Sequence, residues 1–154
     1  MITIQTFAPE GTDLDLGFRH TDYRRLGKQR VEAWQILNVL RGVDNEGNPK
    51  DHKGWVNHPA TRMWEGRIAA LAHYGFRCCA EWKRRGYQDS LQERFRGVLD
   101  LHTYYGDDPT PPKFLNEIMI SHRSNLIRKD EEFYLPIWPD TPRDLPYVWG
   151  PFSS

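Results

Sequence analysis

Cysteine is nearly missing from this 154-residue chain, which holds only Cys78 and Cys79, side by side. A disulfide between neighbours is a strained ring, so the pair is expected as thiols in a reducing compartment. The spacing also fits no zinc site, and no metal or other cofactor is expected. Long apolar runs are missing as well. The longest aliphatic stretch, 68–72, is far too short for a bilayer, and the N-terminus lacks a basic-then-apolar leader. A cytoplasmic location is expected, with no membrane partner. Neither charge sign is in excess, because 21 Lys and Arg balance 21 Asp and Glu. That balance excludes indiscriminate polyanion binding but permits a local basic face. There is no Ser-His-Asp order, no glycine-rich phosphate loop, no internal repeat and no low-complexity segment.

What is present is aromatic and helix-patterned. Aromatic residues make up 13% of the chain, six of them Trp, enough for a dense small core and for base-stacking surfaces. The length suits one compact domain, 1–154. Leu26, Ala33, Leu37 and Leu40 recur at helical spacing. They predict a helix capped by Thr21 or Asp22 and ending near Gly42. Residues 43–54 carry Asn, Gly and Pro in a loop pattern. A second helix of about seven turns is expected from Pro59 to Gly86, on the stripe Trp64, Ile68, Leu71, Gly75, Cys78 and Trp82, with Gly75 as its bend point. A third helix should start at Asp89 or Ser90 and run to Leu101, and a fourth should cover 116–129. Residues 1–7 look extended and 9–15 look like a polar turn. From 135 onward five prolines exclude helix, leaving an extended tail rich in aromatic residues. The fold class is therefore all-α, a helical bundle with a Pro/aromatic tail (135–154) packed on it.

The candidate chemistry lies on the first helix. Arg30 falls in its apolar stripe and Gln29 at the stripe's edge, while Arg24, Arg25 and Lys28 crowd the first turns. Cations at a helix N-terminus oppose the helix dipole, and a guanidinium on a core face needs an anion. A phosphate satisfies both demands. Arg123 repeats the anomaly on the fourth helix, beside His122, Asn125 and Arg128. If the two helices pack together, Arg30 and Arg123 meet at one cleft. The competing reading is internal pairing, with Glu32 as a candidate carboxylate. His58, next to Pro59 at a helix start, can cap the helix or act as acid or base. An amine nucleophile has two candidates, Lys28 among its arginines and the α-amine of Met1.

Four segments together resemble the pyrimidine dimer DNA glycosylase family, in its bacterial and phage branch. They are 25–32 (RLGKQRVE), 55–59 (WVNHP), 79–87 (CAEWKRRGY) and 121–129 (SHRSNLIRK). The resemblance implies a compact helical protein that acts in DNA base excision. It implies an N-terminal α-amine that attacks the sugar C1′, a glutamate on the first helix that stabilises the intermediate, and arginines on that helix that grip phosphates. Tyr23-Arg24 and Arg30 fit the family's tyrosine-arginine and downstream arginine positions, and His58 fits a histidine at the start of its second long helix. Two positions depart from the pattern. Arg25 stands where the family has its glutamate, leaving Glu32 as the nearby carboxylate, and Ile2 is too bulky for ready removal of Met1.

The functional expectation is a glycosylase for damaged or modified pyrimidines, with abasic-site lyase activity as a further step. Met1, Lys28, Glu32 and His58 are its catalytic candidates. Arg24, Arg25, Gln29, Arg30, His122, Arg123, Asn125 and Arg128 are its phosphate- or substrate-binding candidates. DNA is the expected partner. The alternative is a non-enzymatic binder of a nucleotide or other phosphorylated small molecule in the same arginine cleft.

Overall fold

The computed structural model describes residues 6–113 and 116–149. The protein is all-α. Helices α1 (Leu14–Arg19), α2 (Tyr23–Arg41), α3 (Pro59–Arg62), α4 (Ile68–Arg84), α5 (Gln92–Tyr104), α6 (Asn116–Lys129) and α7 (Glu131–Tyr134) follow in order. No helix among the described residues is long and apolar enough to cross a membrane.

Helix α2 forms where its end signals place it. The Asp22 side chain accepts from the Arg25 N–H, and Gly42 takes the left-handed conformation (φ 67°) and returns its N–H to the last turn. Its buried face carries Leu26, Ala33, Ile36 and Leu37, but also Gln29 and Glu32. It packs along α4, which packs in turn against α5 and α1. The α4–α5 contact depends on Gly75: a Cβ there would lie 2.2 Å from the Phe95 ring. Gly75 is thus a close-approach residue inside an unbroken helix and not the expected bend.

The break lies earlier. The anticipated seven-turn helix is divided into the short α3 and then α4, with Gly66 at φ 73° between them, and a single 3₁₀ turn (Trp55–Asn57) precedes it. Helix α1 was not foreseen, since residues 9–15 read as a turn; Asp13 caps it through the Leu16 N–H. Helix α5 starts at Gln92, and the Asp89 carboxylate accepts from the Leu91 and Gln92 N–H groups. Helix α6 has the expected span.

A second apolar cluster joins Phe7, Leu126, Ile127, Tyr134 and Trp138. It brings the chain just before α1 against α6 and α7. Beyond α7 the chain turns through residues 135–141, unlike the extended tail expected from 135, and α6 holds the stretch that follows. Ser121 Oγ donates to Pro146 O at 2.7 Å and accepts from Val148 N at 2.8 Å, while Ser124 Oγ accepts from Leu145 N at 3.0 Å. Both cysteines are buried free thiols.

Candidate active site

The first turns of α2 open on a cavity of about 200 Å³ lined by Phe7, Arg24, Arg25, Lys28, Gln29, Glu32 and Lys129. Glu32 is 4% exposed. Its carboxylate accepts from Gln29 Nε2 at 3.2 Å and lies 3.7 Å from the Lys28 ammonium. Helical geometry explains the grouping, because Lys28, Gln29 and Glu32 stand three and four residues apart on one face. A buried carboxylate is costly without partners, and this one is held by donors on its own helix.

Gln29 also anchors the incoming chain. Its Oε1 accepts from the Phe7 N–H at 3.0 Å and from the Tyr74 hydroxyl at 2.9 Å, and that hydroxyl reaches Phe7 O at 2.8 Å. Burial pushes the Tyr74 phenol well above its ordinary range, so it stays a neutral donor. The chain preceding α1 is thereby fixed at the cavity wall at Phe7. Met1 and Ile2 lie outside the described residues.

A second cavity, of about 460 Å³, shares Arg24, Arg25 and Lys129 and adds Asp22, Tyr23, Asp130 and Phe133. Its acids are engaged within the fold. Asp22 accepts from the Tyr134 hydroxyl and caps α2, and Asp130 accepts from the Phe133 N–H at 3.2 Å. Arg25 reaches Asp22 and the Lys129 carbonyl only at 3.4 Å. Arg24 is fully exposed, and the Tyr23 hydroxyl beside it raises its pKa. The joint wall of the two cavities is therefore cationic and sits at the N-terminus of a 19-residue helix, a setting suited to oxyanions.

The other sequence candidates fall elsewhere. Arg30 and Arg123 do not share a cleft. Arg30 pairs with Asp89, whose side chain is 1% exposed, and stacks 4.7 Å over the Trp82 ring. Arg123 donates to Glu10 Oε1 and to Pro9 O, both at 2.6 Å, and lies over Trp138. Each apolar-face arginine has its own carboxylate within the fold, as in the competing reading of the sequence, but the partners are Asp89 and Glu10 and not the expected Glu32. Asn125 and Arg128 bind the tail: Asn125 Nδ2 donates to Leu145 O at 3.4 Å, and Arg128 donates to Arg143 O and Leu145 O, each at 2.8 Å. His122 is fully buried, with Nδ1 accepting from the Ala8 N–H at 2.9 Å, and burial lowers its pKa to about 4. His58 caps α3, Nδ1 accepting from Ala60 N at 3.1 Å, and tilts against Trp55. None of these six residues lines either cavity. Tyr74 escaped the sequence reading because it sits within a long apolar helix and no local pattern marks it.

Among the described residues no group of three or more His, Cys, Asp or Glu side chains is placed to hold a metal ion. The model of the pyrimidine dimer DNA glycosylase family matches residues 18–94, from the end of α1 through the start of α5. No curated protein and no solved structure matches the chain.

Proposed function

The chain belongs to the pyrimidine dimer DNA glycosylase family, and from that premise we propose that it removes damaged pyrimidines from DNA at the cavity on the first turns of α2. The observation that carries this reading is the buried Glu32 carboxylate in the wall of a cavity that Arg24, Arg25 and Lys129 also line. Exposed guanidinium groups at a helix N-terminus hold backbone phosphates. Glu32 then faces the sugar, where positive charge develops as the glycosidic bond breaks.

In the proposed reaction a neutral amine, that of Met1 or Lys28, forms a bond to C1′. The C1′–N bond to the damaged base breaks, and the base leaves with the electron pair and takes a proton. Opening of the sugar gives a C1′=N iminium, which the Glu32 carboxylate stabilises. Loss of a C2′ proton then eliminates the 3′ phosphate and completes the lyase step. Gln29 and Tyr74 act as positioning residues, since they hold Phe7 at the cavity wall. The 3.7 Å ion pair of Lys28 with Glu32 engages that side chain, which favours the α-amine as nucleophile. His58, Arg30, His122, Arg123, Asn125 and Arg128 have structural duties in this scheme.

Two adjoining cavities with a shared cationic wall suit an extended strand better than a compact nucleotide. The test is glycosidic-bond cleavage, read as free base after photoreversal of the dimer, and strand scission on a duplex carrying a single pyrimidine dimer. Wild type should act on it and not on the undamaged duplex. Glu32→Gln should bind the same DNA within about threefold and lose at least about a hundredfold in rate, the scale of a lost electrostatic stabiliser. Tight binding of free nucleotides with no action on dimer DNA would favour the non-enzymatic alternative.

A further inference from the structure

Beside the cationic wall lies an aromatic ladder that the proposed chemistry does not use. It begins at the partly buried Trp82. Gly27 has no side chain, and a Cβ there would lie 2.9 Å from the Trp82 ring, so the edge of that indole packs closely on α2. The Arg30 guanidinium covers that indole at 4.7 Å, and the Trp82 Nε1–H is tied to Gln88 O at 2.8 Å. Tyr87 stacks on Trp82 with ring centroids 4.2 Å apart and planes 25° from parallel. Tyr23 continues the series, 6.5 Å from Tyr87 and tilted by 26°. The ladder ends at the surface, where Tyr23 is 51% and Tyr87 41% exposed.

We propose that the exposed Tyr23–Tyr87 end of this ladder is a stacking site for one unpaired nucleobase of the bound DNA. The inference rests on the reading that DNA occupies the neighbouring cavities. Three observations carry it. Tyr87 is backed by Trp82, itself held by Arg30 and the close approach at Gly27, so stacking on it costs little side-chain entropy. Tyr23 itself lines the larger cavity with Arg24, Arg25 and Lys129, so a base on the tyrosines leaves its phosphates beside those cations. And the Tyr23 hydroxyl accepts from Arg24 Nε at 3.1 Å, which fixes the ring and the guanidinium relative to each other. Pairing of π-faces with a cationic track is the chemistry of single-strand recognition. The base must be unpaired, because within an intact duplex both faces of every base are covered by its neighbours. Stacking reads no base edge, so the site is indifferent to which base it takes.

Fluorescence anisotropy with three DNAs tests this. One is an intact duplex, the second carries a one-nucleotide bulge, and the third has the same bulge with a tetrahydrofuran ring in place of its nucleoside, which has no leaving group at C1′ and so cannot react with an amine. Wild type should bind the base-bearing bulge about tenfold more tightly than the other two. Tyr87→Ala, which leaves the proposed catalytic groups in place, should abolish that preference and keep affinity for the intact duplex within about twofold. Tyr87→Phe should retain the preference, and unchanged melting temperatures would exclude a folding effect. Equal wild-type binding to all three DNAs, or a preference that survives in Tyr87→Ala, overturns the stacking site and leaves the glycosylase reading standing. No binding to any DNA overturns both.

Discussion

His122 illustrates how one buried residue ties stability to pH. Its Nδ1 accepts from the Ala8 N–H, and its Nε2 is buried with no hydrogen-bond partner among the described residues. The unfolded imidazole takes up a proton below its ordinary value of 6.5, whereas the folded one resists until about 4. Within that window the unfolded state binds more protons, so stability is full above pH 6.5 and falls as the pH drops towards 4. The loss amounts to about 3 kcal/mol across the window. Asn at this position keeps an acceptor for Ala8 and cannot titrate. Urea unfolding of wild type and His122→Asn at pH 7 and pH 4.5 should show the wild-type advantage shrinking by about 2–3 kcal/mol. An advantage equal at both pH values would contradict the burial argument. Arg30 presents the reverse case, a charge held by a partner. Burial alone would raise the Asp89 carboxyl, but the Gln92 and Leu91 N–H groups and Arg30 hold it below the ordinary carboxylate range. Arg30→Met strands that carboxylate and should cost about 3–5 kcal/mol, seen as a fall in Tm on the order of 10 °C. A variant that melts like wild type but no longer binds DNA would return Arg30 to the ligand site. Its role was not legible in the sequence, because the partner lies 59 residues away, at the start of α5.

At the scale of elements, legibility followed the density of local signals. Helix α2 was readable from end to end because it carries a capping Asp22, a left-handed Gly42 and four turns of apolar periodicity between them. Helix α1 has six residues, too few for a period to emerge beside its polar lead-in. The stripe from Trp64 to Trp82 was real as burial, yet periodicity is blind to one left-handed residue, and Gly66 divides the helix. Gly75 was misjudged for the opposite reason. A helical glycine raises the thought of flexibility, while here it admits the edge of Phe95. Gly75→Ala should therefore destabilise the protein although alanine is the better helix former. The overpacked methyl should cost about 1–3 kcal/mol, measured by denaturant midpoint. A stabilised variant would mean that Phe95 moves aside freely. On α6 the ligand surface is read from Arg123, which repeats the Arg30 anomaly on an apolar face. Its acceptors are Pro9 O and Glu10 far away in sequence, and those of Asn125 and Arg128 are carbonyls of the tail, which carries no periodic signal and so could not be assigned to α6 in advance.

Across the whole molecule, the family match and the geometry converge on the same stretch of α2. Residues 18–94 carry the match, and the cavity residues Arg24, Arg25, Lys28, Gln29 and Glu32 lie inside it. Phe7 and Lys129 come from outside it and close the cavity from both ends of the chain. The sequence allowed the α2 half of the site to be read because helical spacing alone gathers Lys28, Gln29 and Glu32. The remaining wall arises from tertiary packing of Phe7 against α2, α4 and α6, which no local pattern encodes. The central claim is that an amine at this cavity attacks C1′ with Glu32 beneath it. Borohydride reduction of the protein mixed with DNA bearing one abasic site tests it most directly. The account predicts a covalent protein–DNA adduct that maps by mass spectrometry to the Met1 α-amine or to Lys28 and that falls at least about tenfold in Glu32→Gln. An adduct that maps to a lysine outside the cavity, or no adduct from protein that binds the same DNA, would contradict it.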